Sequence, residues 1–198
     1  VENPTVALRL FDVTDPNTVS RIEGTVSGTF DAIVPSTLTG RRLFSATSTI
    51  TPSIKTVSFR QIIPSQHNYI IIGHPLLRRA ALGYSDPIRA YAEYRASAGG
   101  GAYDTLVVNI QQVYDQFNYG ETSPLGIYHF LEFLTNSGTP RYVLLVGKGL
   151  DVLYRYHRNP GAFTTFKDLI PPAGYPAADM AYSTGLSGTQ YEPAIPTG

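Results

Sequence analysis

The sequence lacks cysteine and tryptophan, and it has one methionine among 198 residues. Without cysteine there are no disulfides, no thiolate metal sites and no cysteine nucleophile within these residues. The redox compartment stays open, because a thiol-free chain suits either side of a membrane. Net charge is also missing: fifteen Lys and Arg balance fifteen Asp and Glu. A neutral chain has no positive field to gather phosphates, which excludes a nucleic-acid partner and an electrostatic membrane anchor. No apolar run approaches the roughly 20 residues that cross a bilayer, so no membrane insertion is expected. No signal peptide opens the chain, and Val1 is not a start methionine. A processed or excised piece of a longer protein is the expectation.

Charged residues make up only 15%, while Tyr, Thr, Ser, Gly and Pro are abundant. That balance is common in β-containing secreted proteins. The first third, residues 1–66, reads as a small antiparallel β segment. Strand candidates are Val6–Phe11, Ser20–Val26, Gly28–Val34, Gly40–Thr49 and Lys55–Ile63, punctuated by Gly24, Gly28, Pro35, Gly40 and Pro52. The first of them ends at a turn in which Asp and Asn side chains reach nearby main-chain amides. A linker is expected at Pro64-Ser65-Gln66-His67.

Residues 67–198 read as an α/β unit. Tyr69–Gly73 is a continuous apolar run, as in a buried parallel strand. A helical stretch follows in two pieces, His74–Leu82 and one opened by Asp86 and Pro87 and closed at Gly99-Gly100-Gly101. Tyr103–Ile110 is the second strand. Ser123-Pro124 opens a helix with Ile127, Tyr128, Leu131 and Leu134 on one face, and Gly138 closes it. Arg141–Gly147 is the third strand, and Tyr191–Pro196 a last one in a loop-rich tail. Strands separated by helices pair in parallel through right-handed crossovers. The expected fold is a three-layer α/β parallel sheet with flanking helices.

Chemistry in such sheets gathers at the carboxyl ends of the strands. Those ends carry His74, Asn109-Ile110-Gln111, and Gly147-Lys148-Gly149 with Asp151 nearby. His74 suits a base or metal ligand, but a capping or packing histidine before Pro75 is the simpler reading. Gly147-Lys148-Gly149 lacks the spaced glycines and Lys-Ser/Thr pair of a phosphate loop, so a tight turn explains it better. Gly99–Gly101 follows a helix rather than opening one, so it reads as a stop. Asp104, Asp115, Glu121, Asp151, Asp168 and Asp179 are scattered, without EF-hand spacing, which leaves a structural calcium in a loop open. His67, His129 and His157 are too dispersed for a metal set, and neither Ser65 nor Ser123 sits in a nucleophile elbow. The fourteen Tyr and nine Phe suit a sugar-binding surface less simply than they suit core packing. No complete catalytic set emerges.

One stretch is specific enough to carry a resemblance. His74-Pro75-Leu76, then Tyr94-Arg95-Ala96-Ser97-Ala98-Gly99-Gly100-Gly101, then the run Tyr103–Glu121 with Gln112-Val113-Tyr114-Asp115-Gln116-Phe117-Asn118-Tyr119-Gly120, resemble the gingipain-like cysteine peptidases. Tyr142–Leu150 and Phe11-Asp12-Val13-Thr14-Asp15-Pro16 add to the likeness, which is most secure over residues 69–151. The chain looks most like the large secreted members, which include the type IX secretion sortase of Bacteroidetes. Lys148 stands where the family usually has Asp.

The resemblance implies a caspase-like peptidase unit of two α/β halves. This chain matches the non-catalytic first half, so no catalytic residue is expected within it. The His and Cys pair is expected beyond residue 198, and His74 does not match the family's histidine. No cofactor is required, a calcium in the Lys148–Asp168 loop stays open, and the parent is expected to be secreted or on the outer-membrane surface. The implied partners are the catalytic half of the same parent chain and, for the parent, protein substrates. The alternative is an interaction module, or pseudo-enzyme, that kept the fold without the catalysis. An apolar patch is expected where the catalytic half would sit.

Overall fold

The computed structural model describes residues 8–35, 40–51, 53–150, 168–174 and 176–198. The chain divides into two compact units, Val1–Thr56 and Val57–Gly198.

The first unit is all β among its described residues. Strands β1 (Arg9–Asp12), β2 (Ser20–Ile22), β3 (Gly24–Ser27), β4 (Thr29–Ala32) and β5 (Leu43–Ala46) form two small antiparallel sheets, ordered β2-β1-β5 and β3-β4. They are shorter than the sequence pattern suggests, and the expected strand Ser20–Val26 is broken at Glu23. The turn after β1 is built by its carboxylates. Asp12 Oδ1 accepts from the Thr14 N–H at 3.0 Å, Asp12 also pairs with Arg41, and Asp15 Oδ1 accepts from the Asn17 N–H at 2.9 Å. The Thr14 hydroxyl and amide, followed by Arg41, hold the Asp12 carboxyl below its ordinary range against the opposing effect of burial.

The second unit is a three-layer α/β sandwich, as expected. Its sheet contains β6 (Tyr69–Gly73), β7 (Thr105–Asn109) and β8 (Tyr142–Val146), all parallel, in the order β7-β6-β8. Central β6 is buried throughout, which is why it reads as an unbroken apolar run. Its side chains alternate between two cores. Ile70 and Ile72 join Leu106, Val108 and Val143 on one face, while Tyr69 and Ile71 face the other.

Among the described residues, three helices cover these faces. Helix α1 (Pro87–Ala96) lays Ile88 and Ala92 on the Tyr69–Ile71 face. On the opposite face, α2 (Ile110–Phe117) and α3 (Pro124–Ser137) supply Val113, Tyr114, Ile127, Phe130, Leu131 and Leu134, with Ile170, Tyr182 and Ile195 from the tail. The chain steps from β6 to β7 through α1, then back past β6 to β8 through α2 and α3. Right-handed crossovers in opposite directions must use opposite faces.

Start and stop signals act where expected. Asp86 Oδ1 accepts from the Arg89 N–H at 3.1 Å, Ser123 Oγ from the Leu125 N–H at 3.2 Å, and Gly138 follows the last residue of α3.

Four expectations are corrected. The stretch His74–Leu82 is helical only over a 3-10 turn, Pro75–Arg78, because the chain then reverses at Leu82 and Gly83, both at positive φ. The strand ending at Ile110 stops at Asn109, and α2 starts at once. Lys55–Ile63 forms no ladder among its described residues; Pro64–Gln66, within the expected linker, is a 3-10 turn against α3. Tyr191–Pro196 is no strand: Pro193 makes an isolated bridge to Thr184, and only Pro196, with the two residues after it, lines up beside β8.

Candidate functional site

The parallel register sets Gly73 beside Asn109 and beside Val146, so the three carboxyl ends stand together at one end of the sheet. The side chains there bind the chain's own turns. His74 Nδ1 accepts from the Leu76 N–H at 3.2 Å, which makes it the cap of the Pro75–Arg78 turn. That bond uses the Nδ1 lone pair. Asn109 Oδ1 accepts from the Gln111 N–H at 2.9 Å, and Gln112 Oε1 accepts from the Asn109 N–H at 3.4 Å, a reciprocal capping box.

The glycines flanking Lys148 are steric rather than phosphate-binding. A Cβ on Gly147 would lie 2.6 Å from Ile170 Cγ1, and one on Gly149 only 2.8 Å from the Ile170 carbonyl oxygen. The returning segment is tied by the Leu169 N–H to the Lys148 carbonyl at 2.8 Å, and Asp168 Oδ1 accepts from the Leu150 N–H at 3.1 Å. Asp151, His157 and most of the Lys148–Asp168 loop lie outside the described residues.

The remaining candidates are dispersed. Asp104 pairs with Asn68 at the other end of the sheet, Asp115 accepts from Gln111 within α2, and Asp179 opens a 3-10 turn. His129 meets the Phe117 carbonyl. No group of three or more His, Asp or Glu side chains suited to a metal ion exists among the described residues.

Two clusters were not foreseen in the sequence. At the amino ends of the strands, the rings of Tyr69, Tyr103 and Tyr142 lie 5.1–5.8 Å apart. The Arg95 guanidinium sits 4.7 Å from both the Tyr69 and the Tyr103 ring centres, within cation–π range. Tyr at the start of β6, at the start of β8 and just before β7 was a readable signal. The second cluster gathers Arg60, Arg78 and Arg89 at the β7 edge, from positions too far apart to form any local pattern.

The described residues thus supply a rigid sheet with capped strand ends and no assembled nucleophile and base. A family model, Peptidase family C25, matches residues 62–198. The chain belongs to peptidase family C25. No curated protein and no solved structure matches it. The C25 match begins at Ile62 and spans the α/β sandwich, so the gingipain-type resemblance and the three-layer fold coincide. Family C25 peptidases work through a cysteine thiolate, and this C25 segment contains no cysteine.

Proposed function

We propose that this segment is the non-catalytic part of a gingipain-like cysteine peptidase, and that it scaffolds a catalytic half lying beyond residue 198. The observation that carries the reading is an uncovered apolar face on the β8 side of the sheet. There α1 leaves Leu144 and Val146 lining an open cavity of about 490 Å³ together with Leu77, Leu82, Ile88 and Tyr91. Leu82 is 97% exposed and holds a positive φ, a conformation and a setting that favour Gly or Asn over Leu. A large apolar side chain at an exposed turn suits contact with another surface better than it suits the isolated unit.

The edge of β8 supports the same reading. The Val143 N–H donates to the Pro196 carbonyl at 3.0 Å, the Gly198 N–H to the Val143 carbonyl at 3.1 Å, and the Leu145 N–H to the Gly198 carbonyl at 2.7 Å. The sheet therefore extends through residues 196–198 on the side where the apolar cavity opens. The parent acts on protein substrates, outside the cell or on its outer surface, and the type IX sortase is the specific form this reading takes. No helix among the described residues is long and apolar enough to cross a membrane.

The test uses the whole parent protein with Leu82→Asp and, separately, Leu144→Asp. Loss of peptidase activity, with the two halves separating after limited proteolysis, is the expected outcome. Unchanged activity and unchanged association in both variants would refute the scaffold. A second reading, a pseudo-enzyme, is favoured by Lys148 at the position where the family usually has Asp. A parent without cysteine in its nucleophile strand would decide for it.

A further inference from the structure

The opposite edge of the sheet, beside β7, holds a cavity of about 470 Å³. Arg60, Arg78 and Arg89 line it, with Gln112, over the small side chains Ala92 and Ala96 of α1. The three guanidinium groups are not equally engaged. Arg78 is held by Asp86, with Nε and Nη2 both donating to Oδ2 at 2.8 and 2.5 Å. Arg89 reaches Glu93 only through Nε at 3.3 Å, with both side chains about 70% exposed. Such a surface pair within one helix contributes little.

Arg60 has no carboxylate partner among the described residues. Its Nη1 donates to the Val107 carbonyl at 2.7 Å. Its main chain is clamped by the Gln116 amide, which accepts from the Arg60 N–H at 3.1 Å and donates to the Arg60 carbonyl at 2.9 Å. The guanidinium is thus fixed in position, with no carboxylate among the described residues to meet its charge. The His67 imidazole feels that charge: its pKa is lowered first by burial and then by Arg60.

Because β7 is an edge strand, the Val107 N–H lies on the same free side as the carbonyl that Arg60 occupies. The polar wall of the cavity is therefore dominated by donors. Three guanidinium groups face two carboxylates, Glu93 and Asp86, which leaves a single net positive charge.

We propose that this cavity binds the side-chain carboxylates of an acidic peptide segment. Guanidinium forks match carboxylate geometry, and the Ala92–Ala96 floor accepts the methylene groups of a glutamate. A single net charge suits one glutamate side chain of such a segment at a time, with its one negative charge, better than a dianionic phosphate. The cavity lies at the edge away from β8, so this site stands or falls independently of the scaffold role.

The probe is a fluorescein-labelled hexaglutamate peptide, acetylated and amidated at its ends, titrated into the 198-residue chain at low salt and followed by anisotropy. Saturable binding is expected, weakened about tenfold by Arg60→Gln or by Arg89→Gln, as for loss of one charge-assisted hydrogen bond. Binding should also fall as salt rises. Arg89 is exposed on α1, so Arg89→Gln keeps the melting temperature and remains decisive if Arg60→Gln disturbs folding. Equal binding of the hexaglutamine peptide, or full affinity in the Arg89→Gln chain, would overturn the assignment. So would displacement of the label by inorganic phosphate at the same concentration as by unlabelled peptide.

Discussion

Tyr69 opens the central strand, with the Tyr103 and Tyr142 rings, the Arg95 guanidinium and the Tyr91 hydroxyl of α1 around it. Burial first, and then the hydrogen bond to the Tyr91 hydroxyl at 3.4 Å, push its pKa up to about 12, while Arg95 works in the other direction. An unfolded tyrosine ionises near 10. The folded state therefore favours the protonated phenol, so this contribution to stability is intact below pH 10. It is lost as pH rises from 10 through about 12. A spectrophotometric titration of tyrosinate should show a late step near pH 12 that disappears in Tyr69→Phe. A single transition centred near pH 10, unchanged by the substitution, would refute it. The ring cluster was open to reading, since a Tyr recurs at the amino end of each strand. The role of His74 was open only as two alternatives, because base and cap share the same position before Pro75 until Nδ1 is seen accepting from Leu76.

At the scale of elements, β7 and α2 share Asn109. It ends the strand, and its side chain caps the helix. No Gly, Pro or loop separates the two, so Val107-Val108-Asn109-Ile110 reads as strand to the end. The helix becomes legible only from Ile110, Val113, Tyr114 and Phe117, which share one face at spacings of three and four. Helices α1 and α3 were clear because each opens with a capping residue before Pro. Asn109→Ala removes the acceptor for the Gln111 N–H and should cost about 1 kcal/mol. The measurement is the urea midpoint, which should fall with the slope unchanged. A midpoint equal to that of the parent chain would show that the capping bond contributes nothing. The Arg60, Arg78 and Arg89 cluster belongs to this scale too. It comes from an extended segment, a 3-10 turn and a helix, and only the β6–α1–β7 crossover brings those pieces to one edge.

For the whole molecule, the question is where the α/β unit starts. Composition placed a linker at Pro64–His67, since proline and polar residues mark loops. The chain before it is bound to the α/β unit by side chains instead of a ladder, which no strand pattern reveals. Gln116 clamps the Arg60 main chain, Arg60 caps the Val107 carbonyl, and Ile62 packs on the core formed with α2 and α3. The Pro64–Gln66 turn then lies against α3. A chain trimmed to 57–198 keeps all of these and should unfold cooperatively at the temperature shown by that unit in the 198-residue protein. Trimming to 67–198 removes the Arg60 bonds and the Ile62 packing together. Net hydrogen bonds near 1 kcal/mol each, and partial burial of an isoleucine, put the combined loss at roughly 2–4 kcal/mol. Thermal and urea melts of the two trimmed chains measure that difference directly. Equal stability would mean that residues 57–66 only lie on the unit, and it would move the start of the α/β domain back to the proline.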